Sequence, residues 1–411
     1  MDPSISLNNI APQHARVLSG MRPTGSLHLG HHHGVLKNWV ELQHEYRCFF
    51  FVADWHALTT HYDDPTGIPR STHEMVVDWL AAGVNPNEAT IFIQSRVPEH
   101  AELHLLLSMI TPLGWLERVP SYKDQQEKLK ERDLATYGFL GYPLLQSADI
   151  LLYRAGLVPV GEDQVSHVEL TREIARRFNH IYGREADFAA KAERAMKKMG
   201  KKNAKLYKRY RNAWQEQGDE EALAAGRALL DGQQNITVAD KDRLYGYLDG
   251  GGKVILPEPL PLLTRASKMP GLDGQKMSKS YVNTIPLRAD ADVLSQQLRT
   301  MPTDPARVRR SDPGDPAKCP VWQFHEVYSD EQMRDWVRQG CTSASIGCID
   351  CKQPVIDAVL EELRPIQERA REFEEQPELV RNLINEGCET AREEAHDTMD
   401  IVRHVMSLEV F

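Results

Sequence analysis

The stretch ARVLSGMRPTGSLHLGHHHGVLKNWVEL, residues 15–42, decides the fold. Its first seven residues are typical of a buried strand, and Arg22-Pro23-Thr24-Gly25 is a turn signal. From about Gly30 a helix is expected, because the apolar residues recur near the helical period of 3.6 residues. Those apolar residues are Val35, Leu36, Trp39, Val40 and Leu42. A strand, a turn and a helix in this order predict the first unit of a parallel α/β sheet.

The same alternation continues through the amino-terminal half. CFFFVAD (48–54) is a continuous apolar run, which suits a strand buried on both faces of a sheet. A helix around 68–82 and a strand ATIFIQS (89–95) follow. The pattern predicts a Rossmann-like α/β fold, a doubly wound parallel sheet, followed by a helical carboxyl-terminal domain.

Changes of pattern along the chain predict its domain boundaries. Residues 1–184 are expected to form the catalytic α/β domain with a helical connecting segment, and 185–252 a basic helical insertion. The glycine- and proline-rich run 249–261 then returns the chain to apolar sequence, so 253–289 is assigned to the catalytic domain again. Long amphipathic segments within 290–411 predict a separate helical domain.

The composition of the 411 residues, 41% hydrophobic and 26% charged, is that of a globular protein. No secretory leader or membrane-spanning run is recognisable, so a cytoplasmic protein without membrane contact is expected. A net charge of −10 means that nucleic acid would have to bind a local basic surface. Residues 191–211 hold ten basic side chains and one acidic. They fit either an RNA contact or a solvated helical face.

Two short motifs carry the chemistry. His28-Leu29-Gly30-His31 lies between the first strand and the first helix, where backbone N–H groups and the helix dipole favour a phosphate. Lys276-Met277-Ser278-Lys279-Ser280 follows the glycine-bearing segment PGLDGQ (270–275). Two lysines on such a loop can meet a triphosphate as point charges, with serine hydroxyls as hydrogen-bond partners. The pair of motifs predicts an adenylating site.

HLGH and KMSKS resemble the signature motifs of the class I aminoacyl-tRNA synthetases. Within that family the chain is similar to the tryptophan enzymes at SGMRPTGSLHLGHHHG (19–34), YPLLQSADILLY (142–153), PVGEDQVSHVELTREIARRFN (159–179) and LRPIQER (363–369). The resemblance implies an ATP site with His28, His31, Lys276 and Lys279 as catalytic residues and Mg²⁺ sharing the phosphate charge. It also implies further contacts to ATP from Arg22, Thr24, Gly30, Met277, Ser278 and Ser280.

The resemblance also implies the residues that select the amino acid. Asp149 would accept the indole N–H, a role that a buried carboxylate suits, and His56 would help hold the substrate carboxylate. The remaining implied pocket residues are Tyr142, Gln146, Val158, Val160, Asp163 and Gln164. Gln146 stands where many bacterial members carry methionine. Asp163 and Gln164 also begin a helix and could cap it.

Four of the six cysteines lie within 33 positions: Cys319, Cys341, Cys348 and Cys351. In a cytoplasmic chain this clustering predicts metal binding rather than disulfides, and four thiolates would suit structural zinc. A subset of the tryptophan enzymes carries a similar pattern with a four-iron four-sulfur cluster, although the first gap is slightly shorter here. The resemblance therefore implies a [4Fe–4S] cluster, with Zn²⁺ and no metal as alternatives.

The activity that the resemblance implies is that of a tryptophan–tRNA ligase. Tryptophan is first joined to AMP at the expense of ATP, and the acyl group is then transferred to the terminal ribose of tRNA(Trp). The implied partners are tryptophan, ATP, tRNA(Trp) and a second copy of the chain. The alternatives are a tyrosyl-tRNA synthetase, which shares the fold and both motifs, and a non-catalytic tRNA-binding or regulatory paralogue.

Overall fold

The structure is a computed structural model that describes residues 16–119, 136–161, 164–263 and 269–409. A five-stranded sheet forms its centre, in the order β3-β2-β1-β4-β5 with all neighbouring strands parallel. The strands are β1 (Arg16–Met21), β2 (Arg47–Val52), β3 (Ala89–Ile93), β4 (Leu157–Val160) and β5 (Leu260–Leu263). The chain thus winds outward from β1 in both directions, which confirms the predicted doubly wound fold.

Strand β2 shows why the sheet forms here. Five of its six residues are buried, as expected for a strand that has neighbours on both sides and helices on both faces. In β1 the registered pairs run from Arg16 opposite Arg47 to Met21 opposite Val52. The stack of Trp39 on Phe50, with ring centroids 4.2 Å apart, joins the first helix to this sheet.

Helices connect and cover the strands of the amino-terminal half. The first helix, α1, is continuous over 29–42 and contains a wider π-helical turn at His32–Leu36. The others are α2 (Asp54–His61), α3 (Ile68–Ala82), α4 (Glu99–Ser108), α5 (Leu113–Leu116), α6 (Tyr137–Leu152) and α7 (Val165–Tyr182).

The basic stretch is folded into four helices with a hydrophobic cluster of their own. They are α8 (Phe188–Lys198), α9 (Lys201–Gln217), α10 (Glu220–Asp231) and α11 (Val238–Asp249). Met196, Tyr207, Leu230 and Leu244 are among the buried residues of this cluster. A backbone hydrogen bond of 2.8 Å from Lys253 N to Gly183 O joins the segments that enter and leave the unit. We call 188–249 the helical insertion.

The carboxyl-terminal helices pack against the amino-terminal half of the chain. They are α12 (Ala291–Thr300), α13 (Pro320–Tyr328), α14 (Glu331–Thr342), α15 (Cys348–Glu374) and α16 (Pro377–Val405). Arg369 of α15 donates to the carbonyl of Ala81 at the end of α3, at 2.6 Å. Arg96, just beyond β3, donates to Asn385 of α16 at 2.6 Å. Within the described ranges, no helix combines the length and apolar character needed to cross a membrane.

Candidate active site

A cavity of about 340 Å³ opens at the carboxyl ends of β1 and β4. This is the edge at which parallel α/β sheets bind their ligands. Its lining includes seven of the residues predicted for the amino-acid pocket, namely His56, Tyr142, Gln146, Asp149, Val158, Val160 and Gln164, together with Arg22 from the predicted ATP site. The eighth, Asp163, lies outside the described residues. Gln164 precedes α7 but makes no capping hydrogen bond with its side chain.

Asp149 is the most buried charged group of the cavity, with 1% of its surface exposed. Its Oδ2 accepts a hydrogen bond from His56 Nε2 at 2.7 Å. Its Oδ1 accepts from Gln94 Nε2 at 2.8 Å and from His100 Nδ1 at 2.7 Å. Burial by itself raises the pKa of this carboxyl, but the bonds from His100 and His56 outweigh that effect and hold the pKa well below its usual range. Asp149 is therefore an ionised acceptor.

His100 is held in turn by Tyr153. Both side chains are fully buried, and the Tyr153 hydroxyl lies 2.9 Å from His100 Nε2. Burial, followed by the charge of Asp149, raises the pKa of Tyr153 well above its ordinary value, so the hydroxyl keeps its proton and donates it to Nε2. The Nδ1–H of His100 is then the donor to Asp149.

Gln146 is also fixed by a histidine. His167 Nδ1 lies 2.6 Å from Gln146 Oε1, and Tyr142 Oη lies 3.4 Å from His167 Nε2. With Oε1, which can only accept, facing the ring, His167 Nδ1 is the donor in this contact. The amide nitrogen of Gln146 is the end that remains to meet a ligand in the cavity.

The HLGH and KMSKS motifs meet in space although 245 residues separate them. Gly30 N donates to Met277 Sδ at 3.4 Å, and Lys279 Nζ donates to the carbonyl of Thr24 at 2.9 Å. A Cβ atom added at Gly30 would lie 3.0 Å from the His28 ring, so a side chain here would crowd the motif. The turn, the first helix and the second motif therefore line one site.

The two histidines of the first motif are neutral near pH 7. Burial, and then the positive charge of Lys279, lowers the pKa of His28 to about 4. Burial, His28 and Lys279 lower the pKa of His31 to about 3. Their ring centroids lie 3.8 Å apart, and the ring planes are tilted by 40° to each other. Neutral imidazoles beside a lysine can donate hydrogen bonds to phosphate oxygens without adding to the positive charge of the site.

Asn283 organises the KMSKS loop, although no motif pointed to it. It is 3% exposed. Its Oδ1 accepts from Ser278 N at 2.8 Å, and its Nδ2 donates to Asp273 Oδ1 at 2.7 Å and to the Lys276 carbonyl at 3.2 Å. The Lys276 side chain is exposed. Of Ser280, only the backbone is described.

Sequence reasoning also missed Gln94 and His100. Gln94 follows β3 directly, at the ligand-binding edge of the sheet, and its place after a strand was the one signal available. His100 lies in the first turn of α4 within no recognisable motif. Only the packing of α4 against α6 brings it to Asp149.

The four clustered cysteines surround a second, smaller cavity of about 20 Å³. All four are free thiols, and Arg307 Nη1 lies 3.9 Å from Cys341 Sγ. His325 Nε2 lies 3.4 Å from Cys351 Sγ. Across the described parts of the chain, no three histidine, cysteine or acidic side chains stand in positions ready to hold a metal ion. The thiols share one cavity but are not arranged around a common centre.

Comparison with known proteins identifies the family of the chain. A sequence model described as tRNA synthetases class I (W and Y) matches residues 11–206 and 231–364. A tryptophan–tRNA ligase of Ralstonia nicotianae is 67% identical over 393 residues, covering 96% of this chain and 98% of that protein. The tryptophan–tRNA ligase of Thermotoga maritima is 46% identical over 395 residues, covering 96% and 99% of the two chains.

Among solved structures, the chain is similar to tryptophanyl-tRNA synthetase from Campylobacter jejuni, complexed with ADP and tryptophan. The TM-score is 0.70 at 26% identity, and the match covers 95% of this chain and 99% of that one. The similarity therefore extends over the sheet, the cavity and the carboxyl-terminal helices.

Proposed function

The chain belongs to the class I tRNA synthetases for tryptophan and tyrosine, and from that premise we propose how its site carries out the reaction. Its activity is that of a tryptophan–tRNA ligase, which uses ATP to activate L-tryptophan and transfers it to tRNA(Trp). One observation carries the assignment of the site. The cavity that holds the ionised Asp149 opens beside Arg22, in the turn whose Thr24 carbonyl accepts from Lys279 of KMSKS.

In the proposed complex, the indole ring enters the cavity and its N–H donates to Asp149. Oδ1 already accepts two hydrogen bonds, whereas Oδ2 accepts one from His56, so Oδ2 is the atom with room for a ligand. His56, whose Nε2 donates to Asp149, is proposed to lie beside the substrate carboxylate. Val158 and Val160 supply apolar walls, and Tyr142, Gln146, Asp163 and Gln164 complete the pocket.

ATP is proposed to lie across the meeting point of the two motifs. His28 and His31 donate to its phosphates, Gly30 leaves room for the nucleotide, and Lys276 and Lys279 bring positive charge to the leaving pyrophosphate. Further contacts are assigned to Arg22, Thr24, Met277, Ser278 and Ser280. Mg²⁺, when bound, shares the phosphate charge.

The nucleophiles in both steps belong to the substrates. The tryptophan carboxylate attacks the α-phosphate of ATP and expels pyrophosphate, and the terminal ribose hydroxyl of the tRNA then takes the acyl group. The protein contributes positioning and charge stabilisation. The close approach of HLGH and KMSKS argues against a non-catalytic paralogue, which has no physical need for both.

Aminoacylation with labelled amino acids tests this function. Purified protein, ATP and tRNA are mixed with either labelled tryptophan or labelled tyrosine, and acid-precipitable counts are measured. Tryptophan is expected to be esterified to tRNA and tyrosine is not. Equal charging with tyrosine would favour the rival tyrosyl enzyme, and no charging with either would favour the paralogue.

We also propose that Cys319, Cys341, Cys348 and Cys351 hold a [4Fe–4S] cluster. An all-thiolate donor set suits such a cluster, and the Arg307 guanidinium would offset part of its negative charge. The cavity is about large enough for a single ion, so the thiols must move outward to admit a cluster. The cluster would stabilise the helical domain and takes no part in the chemistry at ATP.

Metal analysis decides between the possible occupants. After anaerobic purification, about four iron and four sulfide per chain are expected. One zinc per chain in a colourless preparation would show that the site holds Zn²⁺ and not the cluster. A metal-free protein of full activity would contradict both the cluster and the zinc site.

A second copy of the chain is the proposed partner of four exposed apolar side chains. Leu105, Met109, Leu113 and Tyr137 are 57%, 67%, 56% and 65% exposed, and the last begins the helix that carries Asp149. Large apolar side chains left exposed in this number fit a protein interface. Because the reaction supplies protein synthesis, we place the homodimer in the cytoplasm.

A further inference from the structure

Helix α9 of the helical insertion carries a row of cations on its outer face. Lys201, Lys202, Lys205, Lys208 and Arg209 are all exposed. At 3.6 residues per turn these five positions lie within roughly 120° of the helix circumference, so they share one side of the helix. From Lys201 to Arg209 the row extends about 12 Å along the axis, at about 1.5 Å per residue. We call these five residues the basic stripe.

The opposite face of α9 is anchored, so the orientation of the stripe is fixed. Tyr207 is fully buried, and its hydroxyl donates to the Leu244 carbonyl at 2.5 Å. Arg211 Nε donates to the Tyr247 carbonyl at 2.8 Å, and its guanidinium lies 4.0 Å from the centre of the Tyr247 ring. These contacts hold α9 against α11 and turn the stripe towards solvent.

The charges of the stripe are not compensated by the protein. Within the described residues, no ion pair involves any member of the stripe, whereas other cations of the same unit are paired. Lys198 lies 2.5 Å from Asp240, Arg227 lies 3.2 Å from Asp249, and Arg243 lies 2.7 Å from Glu185. Residues 191–211 have a net charge of +9, so the rest of the chain, with a total of −10, carries −19.

The start of α9 is electrostatically unfavourable. Lys201 and Lys202 occupy the first turn, which contains no acidic residue, and Gly200 before it supplies no side-chain cap. The amino end of a helix already has a partial positive charge, so cations there cost stability unless an anion is bound. By contrast, Lys197 and Lys198 lie in the last turn of α8, where the dipole favours them. The arrangement concentrates positive potential at the start of the stripe.

We propose that the basic stripe binds the phosphate backbone of the tRNA substrate. This inference rests on the proposed function, since it names a surface for a partner of that reaction. Lysines act as point charges that bind phosphate without reading sequence, which suits backbone contacts. A polyanion would also relieve the mutual repulsion of the stripe and the charge conflict at the start of α9.

The position of the insertion specifies which part of the tRNA it meets. Arg154, before β4, contacts Asp242 of α11 at 3.3 Å, so the insertion sits at the amino ends of β4 and β5. The amino-acid cavity opens at the opposite edge of the sheet, at the carboxyl ends of β1 and β4. The stripe therefore binds phosphates away from the acceptor end, and it contributes to affinity without touching the activation step.

The test is the salt dependence of tRNA binding by the full-length protein. A triple variant, Lys201→Gln with Lys202→Gln and Lys205→Gln, is titrated with tRNA(Trp) transcript between 50 and 300 mM salt. If three phosphate contacts are lost, the slope of log affinity against log salt becomes shallower by roughly 2 to 3. At 0.1 M salt the affinity is expected to fall at least about tenfold. Tryptophan-dependent pyrophosphate exchange, measured without tRNA, should stay at the wild-type rate.

Two comparisons separate binding from structure. Single Lys205→Gln is matched with Arg227→Gln, which removes one paired cation of the same unit and should leave the salt slope unchanged. Lys202→Gln should leave the melting temperature equal or higher, because it removes a cation from the amino end of a helix, while it weakens tRNA binding. A wild-type salt slope in the triple variant would overturn the proposal. If the wild-type protein showed no tryptophan-dependent pyrophosphate exchange, the proposed function would be refuted instead.

Discussion

At the scale of single residues, the site is governed by how many hydrogen bonds Asp149 already accepts. Three buried donors, from His56, Gln94 and His100, keep the carboxylate ionised and fix its orientation. Tyr153 fixes which nitrogen of His100 carries the proton. Asp149 therefore offers a ligand an acceptor and no donor, which suits an indole N–H.

Replacing Asp149 by asparagine tests that argument. The asparagine NH₂ group would face donors from His56, Gln94 and His100. The side chain would also no longer offer the indole N–H a charged acceptor. We expect kcat/KM for tryptophan to fall about 10- to 100-fold, the range for losing a hydrogen bond to a buried charge. The measurement is tryptophan-dependent pyrophosphate exchange over a range of tryptophan concentrations.

An analogue supplies the control for that variant. In 3-benzothienylalanine a sulfur replaces the indole N–H while the ring shape is kept. The wild-type enzyme should have a much higher kcat/KM for tryptophan than for the analogue. In Asp149→Asn the two values of kcat/KM should be nearly equal. An unchanged preference would show that Asp149 does not recognise the indole nitrogen.

At the scale of elements, the KMSKS loop depends on one side chain outside its motif. Asn283 bonds to the backbone of Ser278 and Lys276 and to Asp273, so it shapes the segment that carries both lysines. Two charges on a loop stabilise a leaving group only if the loop holds them in place.

Asn283→Ala is therefore expected to slow activation although both lysines remain. Loss of buried hydrogen bonds worth about 1 to 3 kcal/mol should reduce the rate of adenylate formation roughly 5- to 100-fold. The dissociation constant for tryptophan, measured by fluorescence titration, should change little. Thr284→Ala, at the next position, serves as the matched control, and equal rates in the two variants would contradict the role of Asn283.

Some of these elements could be predicted from the sequence and some of the site residues could not. Apolar runs at β1, β2 and β3 predicted the strands, because a strand buried on both faces has a recognisable composition. The turn before α1 and the KMSKS loop were recognisable as motifs. His100, Gln94 and Asn283 were not, because each acts through a contact between elements that are distant in the chain. Seven predicted pocket residues do line the cavity, while their roles remain predictions.

At the scale of the whole molecule, a half-buried carboxylate joins the amino-terminal half to the carboxyl-terminal helices. Glu362 of α15 accepts from Lys37 at 2.5 Å, from Tyr328 at 2.5 Å and from His33 at 3.0 Å. Lys37 and His33 belong to the same helix as HLGH. Burial alone raises the pKa of Glu362, but the bonds from these three partners hold it well below its usual range.

Glu362→Gln should consequently destabilise the protein in a pH-dependent way. Near pH 7 we expect a loss of about 1 to 3 kcal/mol in the free energy of unfolding, because charge-assisted hydrogen bonds are weakened. A carboxyl whose pKa is lowered by folding stabilises the protein above its unfolded pKa of about 4.3. Its contribution is lost as the pH falls below that value, so the difference between wild type and variant should shrink there.

Urea unfolding at several pH values measures this difference. Glu361→Gln, at the exposed neighbouring position, is the control and should have nearly wild-type stability at each pH. A destabilisation by Glu362→Gln that stayed constant from pH 7 to pH 3 would contradict the electrostatic account and leave only a packing effect.

Tryptophan bound in one cavity is proposed to react with ATP at the junction of HLGH and KMSKS. Amino-acid-dependent ATP–pyrophosphate exchange, run with each of the twenty amino acids in the absence of tRNA, tests this proposal most directly. We expect exchange with tryptophan, only background exchange with the others including tyrosine, and a severe loss in Lys279→Ala. Exchange driven by a different amino acid, or an unchanged rate in Lys279→Ala, would contradict it.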